Sequence, residues 1–400
     1  MYLGEFKGKR VFDKCIAVYF KEPNTYTGED IVEFHVHGGA RLAGEILNEL
    51  LESGARLADK GEFTRRAFFN DKISLDGAEG ILEMIQGESL AAVNAGFRLQ
   101  KGDLSKKALE ISSLILDAVS ALEVGLDNPD EFGDSSLEEA KPYVDKATEQ
   151  INEVLKGAYV SDYVENGILV AIMGQTNRGK SSLLNALTHT DRAIVTSVAG
   201  TTRDVIEQSI EYKGYKLTFA DTAGLRETDD EIERIGIKRA NDIAVGADVI
   251  LVLSDAVNGL DEYDKEIIEK FSGRKMICVF NKCDLLDEDT LNKKNKEDNA
   301  IYISALNGYN VNELLDKIID LLDIEKVDAG QGLYLNKRHV QALKQALYIL
   351  QDVQSKWLNT TQDCLIVDLN DAISRLSSID GSRVSTAVVD NVFSKFCVGK

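Results

Sequence analysis

"GILVAIMGQTNRGKSSLLNAL", residues 167–187, reads as three elements in succession: an apolar strand, a loop bounded by glycines and a helix. The loop matches G-x-x-x-x-G-K-[ST], a pattern whose meaning depends on this strand-loop-helix setting. Gly174 and Gly179 let backbone N–H groups converge on phosphate oxygens at a helix N-terminus, where the helix dipole favours negative charge. Lys180 has the length to reach β- and γ-phosphates, the Ser181 hydroxyl suits magnesium, and Ser182 follows in the first helical turn. A plain glycine-rich turn is the alternative, and the lysine with its flanking elements argues against it.

Outward from this loop, strand-like runs alternate with helical patterns from Gly167 to about Ile324: "ILVAIMG", "KLTFADTAG", "DVILVLSD", "KMICVFNK" and "AIYISAL". Strand and helix in repetition predict a mostly parallel α/β sheet. Further pieces follow in order. "GTTRD" offers Thr202 as a magnesium hydroxyl. "DTAG" (Asp221, Thr222, Ala223, Gly224) closes a strand, with Asp221 suited to a water-mediated magnesium contact and the Gly224 N–H to the γ-phosphate. "NKCD" supplies Asn281, Lys282 and Asp284. Asp284 can accept two parallel hydrogen bonds from the guanine ring N–H and exocyclic amine, a pair that adenine lacks, so GTP is favoured over ATP. "SAL" brings Ser304 and Ala305 to the base through backbone. Five elements in this order resemble the P-loop GTPases of the translation-factor class over residues 167–324.

The flanks have another texture. Residues 15–67 read as a small α+β unit, with "CIAVYF" and "DIVEFHVHGG" as strands and "ARLAGEILNELLESG" as a helix. Leu104, Ala108, Ile111, Ile115, Val119 and Leu122 form one helical stripe. "DNPDEFGDSS" reads as a breaker before a helix over 135–156. Helical spacing returns at Val340, Leu343, Leu347 and Leu350, then at Leu365, Leu369, Ile373 and Leu376. The expected architecture is multi-domain: an α+β domain over 1–70, a helical domain over 71–165 and 326–400, and a P-loop α/β domain inserted over 166–325.

Chain length of 400 residues and 44% hydrophobic content suit several cores. The apolar runs are strand-length, so no membrane span is expected. No secretory apolar region opens the chain, and a cytoplasmic location is expected. Five scattered cysteines without Cys-x-x-Cys disfavour a disulfide framework or zinc site. A net charge of −21 excludes a surface that grips nucleic acid everywhere, so RNA would need a local patch or a second protein. His35 and His37 share a strand face but lack a third ligand, which favours a core or turn role over metal. Arg178, Arg203 and Arg226 lie near the motif loops, either as surface arginines or in direct roles.

"GQTNRGKSSLLNAL", "IVTSVAGTTRD", "ADTAGLRETDDEIERIGIKRA", "PNTYTGEDIVEFHVHGG", "GEFTRRAFFNDKISLDGAEG" and the closing "FCVGK" together resemble the tRNA-modification GTPase family MnmE (TrmE) along nearly the whole chain. Thr176 stands where the family usually has proline. Leu225 stands where Ras-like GTPases have a water-orienting glutamine. The resemblance implies potassium-assisted GTP hydrolysis with G domains pairing across a homodimer. Asn177, backbone oxygens of Thr196 and Val198, and Thr201 would be the potassium ligands. Glu233 would act on the attacking water, although alone it reads as one acid of an exposed helix. The N-terminal domain would dimerise and bind a 5-formyltetrahydrofolate-like folate through Glu33, Lys72 and the terminal Lys400, with Cys397 nearby as a nucleophile or a structural thiol. Phe393 and Phe396 would anchor the last helix, and Gly399 would turn the tail. Relative to the family the chain is expected to begin late, without the first strand and its glycine-rich segment.

With an FAD-dependent MnmG-like partner, in a heterotetramer that holds most of the tRNA, the family's product is a carboxymethylaminomethyl-type group on carbon 5 of the wobble uridine. A ribosome-assembly GTPase of the Era or Der kind is the alternative, and a non-catalytic module switched by nucleotide is a third.

Overall fold

Side-chain alternation builds the first sheet. The computed structural model describes residues 1–189, 194–195, 206–221, 240–294, 300–324 and 333–399. Strands β1 (Tyr2–Lys7), β2 (Phe12–Phe20) and β3 (Ile31–His35) form an antiparallel sheet in the order β1-β2-β3. β1, absent from the expected α+β unit, pairs with β2 from Tyr2 opposite Ala17 to Lys7 opposite Phe12. Helices follow: α1 (Ala40–Glu52), α2 (Glu62–Phe69), α3 (Leu75–Gln86), α4 (Leu90–Gln100), α5 (Asp103–Asp127) and α6 (Pro129–Lys156). The expected stripe from Leu104 to Leu122 is the buried face of α5. The expected breaker is a correction: α6 begins at Pro129 and runs through it. Proline at the first helical position removes only an N–H that the helix cannot use, and Asp130 and Glu131 suit the positive end of the dipole.

The α/β part contains α7 (Ala158–Asn166), β4 (Ile168–Met173), α8 (Lys180–Thr188), β5 (Ile194–Val195), β6 (Ile206–Tyr212), β7 (Tyr215–Asp221), β8 (Val249–Asp255), α9 (Glu262–Lys270), β9 (Met276–Asn281), α10 (Glu288–Lys294), β10 (Ala300–Tyr302) and α11 (Val311–Leu321). Its seven strands lie in the order β10-β9-β8-β4-β7-β6-β5. β4 runs parallel to both β7 and β8. β6 joins β7 as an antiparallel hairpin, which the sequence reading did not anticipate. Its two-residue turn, Lys213-Gly214, has positive φ at both positions, the geometry that matches strand twist. Every residue of β8 is buried, as a central parallel strand requires. β4 and β8 are thus neighbouring central strands, and it is outside the carboxyl ends of such strands that open α/β sheets present ligand sites.

After this part the chain returns to helices α12 (Lys337–Ser355), α13 (Gln362–Ser377) and α14 (Thr386–Ser394). The chain forms two compact units: Met1–Gln86, Ala95–Lys156 and Leu333–Lys400 in one, Gly87–Asn94 and Gly157–Gly332 in the other. In sequence, the α/β unit interrupts the helical one. Among the described residues no helix is long and apolar enough to cross a membrane.

One buried charged cluster ties helices of the first unit. The Arg338 guanidinium donates to Glu79 from Nε at 2.9 Å and from Nη2 at 2.7 Å, and also to the Ser378 and Ile379 carbonyls. His339, fully buried, places Nε2 2.8 Å from Glu79 Oε2. The Asn336 N–H donates to His339 Nδ1, while Asn336 Oδ1 caps α12 by accepting from the His339 N–H. Burial pushes the Glu79 carboxyl up, but its Arg338 and His339 neighbours outweigh that and hold it at about 2.

Candidate functional site

β4 delivers the chain into the glycine-bounded loop at Gly174, whose φ is 145°. A Cβ there would lie 2.3 Å from the Leu253 carbonyl oxygen, so only glycine lets the loop leave β4 against β8. Gly179, with φ 92°, precedes α8, and a Cβ there would lie 2.4 Å from Asn281 Nδ2. Between them Asn177 is exposed and left-handed, with φ 64°. Lys180 is 6% exposed, and its ammonium donates to the Gly174 carbonyl at 2.5 Å and the Gln175 carbonyl at 2.8 Å. The loop thus curls over its own lysine at the positive end of a helix, an arrangement that can take an anion.

Asn281 joins this loop to the two that follow β9 and β10. Buried to 3% exposure, its Nδ2 donates to the Arg178 carbonyl at 3.0 Å and its Oδ1 accepts from the Ala305 N–H at 3.0 Å. The Ala305 N–H, read from sequence as facing the base, is thus engaged by Asn281. Ser304 Oγ donates to Asp284 Oδ1 at 2.5 Å and so orients an otherwise exposed carboxylate. Lys282 pairs with Asp255 at 3.0 Å. Burial pushes the Asp255 carboxyl up, but the Lys282 ammonium and the Val257 and Asn258 N–H groups outweigh this and hold it below the usual range.

These side chains surround a cavity of about 800 Å³ that Gly179, Ser182, Asn281, Lys282 and Asp284 line. Leu285 and Leu306 form apolar walls and are 65% and 87% exposed. A carboxylate acceptor between apolar walls can recognise the donor edge of a flat heterocycle. Asn185 and His189 of the α8 region also line it, although no motif marked them. Arg178 pairs with Asp261 at 2.5 Å, a partner outside every motif; the capping pattern "DEYD" was its only sequence signal.

Several expected site residues lie outside the described residues: Thr196, Val198, Thr201, Thr202, Thr222, Ala223, Gly224, Glu233 and Lys400. Of Asp221, the main chain is described, ending β7 opposite Ile172 and Ile206. The exposed Ser181 hydroxyl in the first turn of α8 fits a hard, oxygen-preferring cation such as magnesium. The exposed Asn177 carboxamide fits a monovalent cation in the same way.

In the first unit Glu33 is exposed and 3.2 Å from His35 Nε2. His37 Nδ1 is 2.6 Å from Asp13 Oδ1. Both histidines are exposed and paired with carboxylates, which corrects the core half of the core or turn role expected for them. Among the described residues no histidine, cysteine and carboxylate group could hold a metal. Lys72 is exposed, lies close beside Gly28, and lines a cavity of about 460 Å³ with Phe68, Phe69 and Asp380. An ammonium and aromatic rings around such a space fit a ligand with a flat ring and an anionic tail. Phe393 and Phe396 are buried against Leu75 and Ala78, while Cys397 is exposed and its carbonyl accepts from the Gly61 N–H at 3.2 Å. Gly399 has φ 88°, the turn expected of it.

Residues 75–397 match the family model of the MnmE helical domain, and residues 1–72 match that of the GTP-binding protein TrmE N-terminus. The chain belongs to the MnmE (TrmE) family. It is 38% identical over 394 residues to the tRNA modification GTPase MnmE of Thermosipho melanesiensis, covering 98% of this chain and 88% of that protein. Against the protein of the same name from Prochlorococcus marinus strain MIT 9215 it is 36% identical over 403 residues, covering 100% of this chain and 87% of the relative. The Aquifex aeolicus MnmE is 36% identical over 397 residues, with 98% and 88% covered. Among solved structures the chain is similar to Aquifex aeolicus Era bound to GDP and AlF4, at 29% identity, covering 45% of this chain and 66% of that one, with TM-score 0.31. As an MnmE-family member it is a GTP hydrolase that takes part in tRNA modification, built as a P-loop α/β unit with a helical domain and a small sheet-bearing N-terminal part.

Proposed function

We propose that the cavity beside Asn281 is where this GTPase binds GTP, and that hydrolysis there is potassium-dependent and drives modification of the tRNA wobble uridine. The observation that carries the reading is the Asn281 carboxamide, which joins the Arg178 carbonyl of the phosphate-type loop to Ala305 beside Asp284. Asp284, oriented by Ser304, accepts the guanine N–H pair. Backbone N–H groups over Gly174–Gly179 and the Lys180 ammonium bind the β- and γ-phosphates, with Ser182 close by. Ser181 and Thr202 would hold magnesium, with Asp221 as a further acceptor, and Thr222, Ala223 and Gly224 would serve the γ-phosphate side. Asn177, Thr196, Val198 and Thr201 hold potassium. The cations supply positive charge against the phosphate oxygens as charge develops in transfer. Glu233 orients the attacking water.

The domain limits implied are 1–70, 71–165, 166–325 and 326–400. The N-terminal part binds a folate one-carbon donor through Glu33, Lys72 and Lys400, with Cys397 beside it, and dimerises. An FAD-dependent MnmG-like protein joins the homodimer in the cytoplasm and holds most of the tRNA, which suits the net charge of −21. Together they add a carboxymethylaminomethyl-type group to carbon 5 of the wobble uridine.

Mass analysis of wobble uridine tests the chemistry in cells lacking the gene, complemented by this chain or by a variant without its last four residues. The expected result is restored modification with the full chain and none with the shortened one, whose GTP turnover persists. Modification by both would remove the tail from the folate site. Unmodified uridine with both would overturn the proposed tRNA chemistry.

A further inference from the structure

The arginine of the glycine-bounded loop is taken up by a carboxylate from the start of α9. Arg178 Nη2 donates to Asp261 Oδ2 at 2.5 Å, and only 14% of the Arg178 side chain and 27% of the Asp261 side chain are exposed. Asp261 is at the same time the N-cap of α9: its Oδ1 accepts from the Asp264 N–H at 2.9 Å, and its own N–H donates to Asp264 Oδ2 at 3.3 Å. Arg178 is held at its other end too, because its carbonyl accepts from Asn281 Nδ2 at 3.0 Å. One residue, between left-handed Asn177 and left-handed Gly179, is therefore fastened by side chain to α9 and by main chain to the base loops. A residue of left-handed backbone on each side makes this the point where the loop's path is set.

We infer that Arg178 is a positioning residue for the GTPase centre: its ion pair with Asp261 fixes the backbone of residues 177–179, and so the N–H groups that bind phosphate, without contacting phosphate itself. Burial pushes the Asp261 carboxyl up, but the N–H groups of the helix start and the Arg178 guanidinium outweigh it and hold it below the usual range. Asp261 is thus ionised at neutral pH, where the pair has its full strength. The inference rests on the assignment of the glycine-bounded loop to the GTP phosphates.

The test compares four full-length proteins: wild type, Arg178→Ala, Asp261→Asn and the double variant. Asparagine caps a helix as well as aspartate, so Asp261→Asn removes the ion pair and keeps α9. Affinity for GDP is measured with a fluorescent analogue, together with KM and kcat for GTP and the melting temperature without nucleotide. Each single variant is expected to weaken GDP and raise KM by about five- to tenfold, with a smaller fall in kcat. The double variant is expected to be no worse than the worse single one, because the pair acts as a unit.

A direct phosphate contact by Arg178 predicts something different: Asp261→Asn would free the guanidinium and leave GDP affinity unchanged or higher. That outcome overturns the inference. So do equal affinities in all four proteins, or a lowered melting temperature with nucleotide affinity intact. Lys180→Ala serves as the control for the underlying assignment. If it too leaves GDP affinity unchanged, the phosphate assignment has failed, whereas a loss with Lys180→Ala alone rejects only the role of Arg178.

Discussion

Two buried polar clusters do opposite things. Around Glu79, Arg338 and His339 in the helical unit, the donors spend themselves on Glu79 and on the Ser378 and Ile379 carbonyls, so the cluster closes on itself. Around Asn281 the contacts are neutral, few and directed at loop backbone, and the cluster opens onto a cavity of about 800 Å³. Both satisfy the rule that buried polar groups be paired. The closed cluster contributes rigidity, since a charge removed from one partner strands the other in a poorly solvating interior. The open cluster contributes a shaped surface, whose loops are held together by bonds to their own backbone. A perturbed group marks a site only when its neighbours leave something facing outward.

The difference can be broken at either end. The largest effect is expected for Lys180→Ala, which should cut GTP turnover by about a thousandfold through loss of charge at the phosphates. A loss below tenfold would show that the lysine only supports the loop. Next, Glu79→Gln should destabilise the protein by about 3 kcal/mol in urea unfolding while leaving KM for GTP near the wild-type value. Equal stability would mean that the cluster is dispensable.

The pH dependence of the same variant sharpens this. Glu79 titrates at about 2 in the fold against an ordinary 4.5, so its stabilisation is present above pH 4.5 and drains away as pH falls towards 2. Melting temperature should drop more steeply across that window in the wild type than in Glu79→Gln, and parallel slopes would refute the coupling. Smaller again, Asp284→Asn should weaken GTP by about fiftyfold and shift preference towards xanthosine nucleotides. Retained guanine preference would move base recognition elsewhere. The smallest effect is on cation choice. Turnover in potassium should exceed that in sodium by about fivefold, and Asn177→Ala should erase the difference, consistent with one cation's worth of charge stabilisation.

Local chemistry was legible in the sequence where it is contiguous. Residues 167–187 display strand, loop and helix in a row, and the buried stripe of α5 follows from helical periodicity alone. What escaped was set by partners distant in the chain. Arg338 meets Glu79 across 259 positions, and no spacing rule announces that. Arg178 meets Asp261 across 83, an ion pair that neither reading open in the sequence, surface arginine or direct role, announced. β1 has only weakly alternating burial and depends on β2 for its definition. The breaker before α6 misled because proline and aspartate both end and begin helices, and only the N-terminal reading fits Pro129. His35 and His37 are expected on one strand face, but β3 ends at His35, so His37 lies beyond the strand, and both are solvated, which period-two spacing cannot reveal.

An amide has a direction, and the position of Asn281 uses it. The nitrogen meets the Arg178 carbonyl and the oxygen meets the Ala305 N–H. Turning the carboxamide by half a revolution would set oxygen against oxygen and nitrogen against nitrogen. Aspartate, nearly the same size, has no donor to offer the carbonyl side, and leucine would leave both loops unanswered. The junction of the two loops therefore works like a keyed connector: one residue type in one orientation, with Gly179 clearing the space in which it seats.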